Sequence, residues 1–110
     1  MTHRTIRLNE LVKQELGNIL IREIAIPDVL VTIMDVETSL DLRHAKVLLS
    51  IFPENKAGSA LRVLKKEIYG MQKELNRRLL MKPVPKIRFL IDKSGEHFTR
   101  VNEAINGDEN

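Results

Sequence analysis

Lysine and arginine side chains crowd into one part of this chain, where they could neutralise the phosphate groups of a nucleic acid. Residues 62–88 carry nine Lys and Arg against two Glu, a local net charge of +7, whereas the other residues sum to −4. Since the whole chain is only +3, the clustering rather than the total indicates an anionic partner. On a helix, Lys66, Lys73 and Arg77 would share one face, because their spacings are seven and four.

The predicted RNA contacts come from this segment and from the start of the chain. They are Lys65, Lys66, Tyr69, Gly70, Lys73, Arg77, Arg78, Lys82, Lys86 and Arg88, with Arg4, Arg7 and Lys13 as accessory contacts. Gly70 costs a helix about 1 kcal/mol relative to Ala, and close approach to a phosphate backbone is one explanation for it. Tyr69 could stack on a base, although simple packing is the favoured interpretation. Phosphate contacts position an RNA without specifying its sequence, so we expect recognition of a folded shape.

Other interpretations of these residues stay open. A basic helical face can be merely solvated, and Glu67 and Glu74 can pair with cations three or four positions away. A small interaction or regulatory domain could use the same face to dock an acidic protein, without touching RNA. Carboxylates such as Asp41 commonly make turn or cap hydrogen bonds, so a metal or catalytic cluster with Asp35 and Asp92 is disfavoured. His44 and His97 have no zinc spacing and are expected at the surface.

Length and composition narrow the class of protein. With 110 residues, 43% of them hydrophobic and 30% charged, there is room for one domain over residues 1–105 and a frayed tail over 106–110. The chain contains no cysteine, and its apolar runs are far shorter than a membrane span requires. We find no arrangement of a nucleophile and a base and no phosphate-cradling loop. The sequence therefore predicts a cytoplasmic, monomeric protein that is not an enzyme and has no cofactor, metal or small-molecule substrate.

Periodicity places the candidate residues on helices and strands. Apolar residues at spacings of three and four predict helices over about 5–25 and 57–81, with a bend or break at Gly70 in the second. A β-branched run predicts a strand over 29–38, and alternation predicts two more strands, over about 44–51 and 87–91. A short last helix should follow Ser94 as its N-cap.

These elements predict an α+β domain of two layers. A three-stranded sheet with helices packed over one face buries the apolar stripes economically, and the other face is wet, where Lys46 and Arg88 can lie. Strands one and two should be antiparallel. The strand order stays open, although the helical crossover between strands two and three makes a parallel relation somewhere in the sheet plausible.

The ordered set of segments resembles a KH domain of the second type and, more narrowly, the bacterial ribosome-binding factor A family. The matching segments are RTIRLNELVKQELGNIL, VTIMDVETSLDLRHAKVLLSIF and YGMQKELNRRLLMKPVPKIRFLIDKS. KH domains that grip single-stranded RNA carry a GXXG loop, which this chain lacks. The resemblance instead implies a kink between two helices at an Ala-X-Gly. Here that triplet is Ile68, Tyr69 and Gly70, with isoleucine in place of alanine.

The resemblance also implies a function. It predicts the KH type II-like order α-β-β-α-kink-α-β with a short C-terminal helix. It further predicts an assembly factor that binds immature small (30S) ribosomal subunits and 16S rRNA, assists late rRNA processing and subunit maturation, and is most important in the cold.

Overall fold

The structure, a computed structural model, describes residues 3–92 as two long helices packed against one sheet. The elements in chain order are α1 (His3–Glu23), β1 (Leu30–Thr38), β2 (His44–Phe52), a 3-10 turn (Glu54–Lys56), α2 (Ala57–Arg78) and β3 (Lys86–Ile91). The predicted α+β class with a three-stranded sheet is confirmed. The predicted last helix and the tail lie outside the described residues.

The sheet has the order β1-β2-β3, which places β2 at the centre. β1 and β2 are antiparallel, with a bulge at Met34 between Ile33 and Asp35, and β2 and β3 are parallel. The antiparallel prediction and the prediction of a parallel relation in the sheet are both confirmed. Since α2 lies between β2 and β3 in sequence, it runs back along the sheet and returns the chain to the end at which β2 begins.

Both helices pack on one face of the sheet. Alternate residues of β2 (Ala45, Val47, Leu49 and Ile51) are buried, as are Ile87 and Phe89 of β3. The helices meet them with buried residues at spacings of three and four. These are Leu8, Val12, Leu16 and Ile19 of α1 and Ala60, Leu64, Met71 and Leu75 of α2. The intervening strand residues lie on the face that we call the outer sheet face. Lys46 and Arg88 are exposed there, as predicted, whereas Leu48, Ser50 and Leu90 are half-buried.

The α2 helix continues through Ile68, Tyr69 and Gly70, so the predicted break at Gly70 is wrong. Met71 and Leu75 are 2% and 0% exposed, and burial of each contributes about 1.5–3 kcal/mol, more than the cost of about 1 kcal/mol for one exposed helical glycine. Tertiary packing therefore outweighs helix propensity. A bend that leaves the helix continuous stays a prediction.

The α2 helix ends three residues before its predicted end. Leu79 leaves the helix in an extended conformation and is 3% exposed, because its side chain turns into the core. The Lys82 Nζ then donates a hydrogen bond of 3.1 Å to the Asn76 carbonyl, one of the acceptors that a helix C-terminus leaves free.

Side chains from the helices form hydrogen bonds with backbone groups at both edges of the sheet. At the β1 edge, the Thr38 N–H donates to Asn9 Oδ1 at 2.9 Å and Lys13 Nζ donates to the Met34 carbonyl at 3.3 Å. At the β3 edge, the Ile87 N–H donates to Gln72 Oε1 at 2.8 Å. These bonds satisfy groups that the sheet leaves without a strand partner. Neither helix among the described residues is long and apolar enough to span a bilayer.

Candidate RNA interface

A groove of about 530 Å³ separates α2 from the segment that leads into β3. We call it the α2 groove. Its α2 wall consists of Ile68, Tyr69, Gln72 and Asn76, and its other wall of Lys82, Pro83, Val84, Lys86 and Ile87. Its floor is apolar, its two lysines stand on one wall, and Tyr69 opposite them is 83% exposed. This combination suits a polyanion that also presents flat apolar rings.

Gln72 connects the two walls of the α2 groove by hydrogen bonds. Its Nε2 donates to the Pro85 carbonyl at 3.0 Å and to Asn76 Oδ1 at 3.0 Å, while its Oε1 accepts the Ile87 N–H. One side chain thus joins α2 to the start of β3. Nothing in the periodicity distinguished Gln72 from other polar helix residues, so sequence reasoning missed it.

A second depression, also of about 530 Å³, continues the α2 groove around the start of β3. It is lined by His44, Ala45, Lys46, Ile68, Lys86, Ile87 and Arg88. Ile68, Lys86 and Ile87 line both depressions, so Lys82, Lys86, Lys46 and Arg88 border one connected surface. From the sequence, Lys46 and His44 were predicted only to lie at the surface. Their proximity to Lys86 follows from the β2 and β3 register, in which His44 pairs with Lys86.

The tight turn between β1 and β2 supports this end of the sheet. Asp41 Oδ1 accepts hydrogen bonds from the Ser39 hydroxyl at 2.6 Å and from the Arg43 N–H at 3.1 Å, which together lower the pKa of Asp41. The Arg43 carbonyl then accepts the Lys86 N–H at 2.8 Å. Asp41 therefore has the predicted turn role. The turn is hydrogen-bonded directly to the backbone of Lys86, which lines the α2 groove.

The predicted cations of α2 fall into two groups. Lys65, Lys66, Lys73 and Arg77 are all exposed. Of these, Lys66, Lys73 and Arg77 point away from the sheet, as their spacing predicted, and we call them the α2 cationic face. Lys65 lies one turn before Ile68 and Tyr69, which line the α2 groove.

Arg78 is engaged inside the protein. It is 17% exposed and donates to Glu74 Oε2 at 2.9 Å and to Glu15 Oε1 at 3.2 Å. Arg77 also binds Glu74 but is 72% exposed. Hydrogen bonds from Arg77 and then Arg78 lower the pKa of Glu74 to about 2. Arg78 thus connects α2 to α1, and an additional contact of this residue with RNA would have to compete with two carboxylates.

The accessory cations Arg4 and Arg7 lie in a separate cleft, at the start of α1. Leu8, Leu11, Leu42 and Met81 also line it. Met81 precedes Lys82 in the chain, so this cleft adjoins the α2 groove at the same end of the molecule. Lys13 is occupied by its hydrogen bond to the Met34 carbonyl.

A two-layer α+β fold with a cationic groove between a helix and a strand defines the class of this protein as KH type II-like. The family model for ribosome-binding factor A matches residues 4–105. By that match the chain belongs to the ribosome-binding factor A family.

Individual relatives agree with the match. The ribosome-binding factor A of Halothermothrix orenii is 36% identical over 104 residues, which cover 93% of this chain and 85% of that protein. The protein of Gloeobacter violaceus is 36% identical over 109 residues, with 94% and 84% covered.

Solved structures show the same fold. The crystal structure of ribosome-binding factor A from Thermus thermophilus superposes with a TM-score of 0.68 at 27% identity, over 79% of this chain and 94% of that one. A homology model of the Thermus thermophilus protein, fitted into a cryo-EM map of a 30S complex, gives a TM-score of 0.63 at 24% identity. It covers 86% of this chain and 97% of that one.

Proposed function

We propose that this protein binds immature small ribosomal subunits through 16S rRNA and assists the late steps of subunit maturation. The observation that carries the proposal is the α2 groove with its two lysines and exposed Tyr69, together with the exposed α2 cationic face. The family match and the 30S complex of the related Thermus protein support the choice of the small subunit.

Chemistry favours folded RNA as the ligand. Lysines that are exposed and without an ion pair among residues 3–92, such as Lys66, Lys73 and Lys86, can neutralise phosphates on binding, which releases counterions. The absence of GXXG from the sequence argues against the four-nucleotide grip of other KH domains. The contacts we propose therefore position a structured RNA rather than read its sequence.

The protein would act without catalysis, as a single copy in the cytoplasm, by holding rRNA segments in place while they mature. Its contribution should be largest in the cold, where misfolded RNA helices are slowest to rearrange. Comparing subunit profiles of depleted cells at low and high growth temperature tests this part of the proposal.

Co-sedimentation with free small subunits tests the binding itself. The wild-type protein should move with the subunits at low salt and return to the top of the gradient as salt rises. Lys66→Glu/Lys73→Glu should weaken binding and reduce its salt slope by roughly one unit per lysine. The matched control, Arg22→Glu/Lys56→Glu, makes the same charge change at the end of the sheet where β2 finishes, away from the α2 groove. It should bind as the wild type does.

Two results would contradict the proposal. One is a wild-type protein that stays at the top of the gradient at low salt. The other is an association that survives complete nuclease digestion of the subunits, which would favour docking on an acidic protein.

A further inference from the structure

The outer sheet face carries two lysines and one arginine close together at one end of the sheet. Because β2 and β3 are parallel and in register, Lys46 is the direct neighbour of Arg88, and His44 that of Lys86. All four residues are exposed, and the buried residues that alternate with them along the strands, Ala45, Ile87 and Phe89, point to the helices. The side chains of both pairs therefore project from the same face, at the same end of the sheet.

Lys46 and Arg88 repel each other as direct neighbours, and an anion bound between them would relieve this repulsion. Like charges on neighbouring strands destabilise a sheet. No ion pair within residues 3–92 involves Lys46, Lys86 or Arg88. The β1 carboxylates on this face are Glu37, the neighbour of Lys46, and Asp35, the neighbour of Leu48, so within residues 3–92 Lys86 and Arg88 have no carboxylate as a direct strand neighbour.

The outer sheet face and the α2 cationic face point in opposite directions. Lys66 and Lys73 project from the helical layer away from the sheet, while Lys46 and Arg88 project from the sheet away from the helices. Both layers of the fold therefore lie between the two groups of side chains. A rigid RNA helix that lies on one broad face does not reach the other.

We propose that the outer sheet face is a second RNA-backbone surface, with which this domain holds two RNA segments at once, one on each broad face. The proposal rests on the RNA contact of the proposed function and adds bridging to it. Phosphodiester groups suit this surface because Arg88 offers a fork of donors to one phosphate while Lys46 and Lys86 act as point charges beside it. Lys86 lines the α2 groove as well and so lies at the boundary between the two surfaces.

A capture assay with two RNA hairpins tests bridging. One biotinylated hairpin is immobilised and saturated with protein, and a second, fluorescently labelled hairpin is then added. The wild-type protein should retain the second hairpin. Lys46→Glu/Arg88→Glu and Lys66→Glu/Lys73→Glu should each still bind the immobilised hairpin, through the face that remains. Each should retain at most about one tenth of the second hairpin that the wild-type protein retains. The control Arg22→Glu/Lys56→Glu should retain as much as the wild type.

The possible results separate the two proposals. A wild-type protein that does not bind the first hairpin overturns the proposed function and bridging with it. Binding without capture of the second hairpin overturns bridging alone. Capture that persists in Lys46→Glu/Arg88→Glu also overturns bridging, because it means that the outer sheet face is not needed to hold the second hairpin. That result is expected if the face binds an acidic protein instead of RNA, or if two copies of the chain carry one hairpin each.

The Tm of Arg88→Glu gives a second readout, because a variant that lost capture by unfolding would also have a lower Tm. Arg88→Glu places a carboxylate beside Lys46 and replaces a repulsive pair with an attractive one. Its Tm should equal or exceed that of the wild type while capture falls. A drop in both would indicate that Arg88 supports the fold, and would overturn its assignment to RNA binding.

Discussion

Arg78 and Glu15 lie on different helices, and the hydrogen bond of 3.2 Å from Arg78 Nη1 to Glu15 Oε1 joins α2 to α1. Both side chains are mostly buried, at 17% and 24% exposure, so solvent screens this pair less than one on the open surface. The pair therefore helps to fix the position of the helix that carries the α2 cationic face.

Loss of this pair should destabilise the protein measurably. Arg78→Ala leaves Glu15 without its partner and removes one of the two partners of Glu74, so the urea midpoint should fall. Arg77→Ala is the matched control, because Arg77 binds the same Glu74 from a position that is 72% exposed, and its effect should be clearly smaller. Equal effects of the two substitutions would contradict the structural role of Arg78.

Glu74 should make stability depend on pH in the acid range. Hydrogen bonds from Arg77 and Arg78 lower its pKa from 4.5 to about 2. Since the folded-state pKa lies below the unfolded one, the stabilisation is complete above about pH 4.5 and is lost as pH falls towards 2. Urea unfolding at several pH values should show this loss in the wild type and a flatter profile in Glu74→Gln. Glu67→Gln, on the same helix and outside these ion pairs, should keep the wild-type slope.

Gln72 should matter for both stability and RNA binding. Gln72→Ala removes the hydrogen bonds to the Pro85 carbonyl and the Ile87 N–H, so we expect the free energy of unfolding to fall by about 1–3 kcal/mol. The wall of the α2 groove that carries Lys82 and Lys86 should then move, and RNA affinity should fall although no charge has changed. Gln14→Ala, an exposed helical glutamine on α1, should change neither quantity. Unaltered RNA affinity in a destabilised Gln72→Ala would contradict the positioning role.

Gly70→Ala tests whether α2 needs its glycine. A methyl group at this position would meet no atom within 4 Å apart from its chain neighbours and the backbone of its own helix, so in a continuous helix the substitution should stabilise the protein by about 0.5–1 kcal/mol and leave subunit binding unchanged. Gly17→Ala on α1 has equally open space and should give a similar gain. If Gly70→Ala alone raised stability and lost subunit binding, a bend at Gly70 would be part of the binding state.

Much of this fold could be predicted from the sequence because its patterns are local. Alternation in β2 and spacings of three and four in α1 and α2 placed the helices and strands within a few residues of their ends. The break at Gly70 was predicted from a propensity of about 1 kcal/mol, which packing of Met71 and Leu75 exceeds.

The site was harder to predict because it depends on contacts between distant segments. The shared face of Lys66, Lys73 and Arg77 was predicted, since one helix orders its residues by spacing alone. The neighbours Lys46 and Arg88 come from strands far apart in sequence, and only the parallel register brings them together. Gln72 and Arg78 likewise acquire their roles from partners on other elements. Polarity and charge alone did not reveal which of these side chains would be engaged inside the protein.

The hydrogen bonds from Asn9, Lys13 and Gln72 to the outer strands have a consequence for how the protein meets other molecules. An extended peptide that tried to lengthen the sheet by backbone pairing would first have to displace them. Self-association into fibrils begins with the same step, so these three side chains should also keep the folded domain dispersed when it is abundant in the cell.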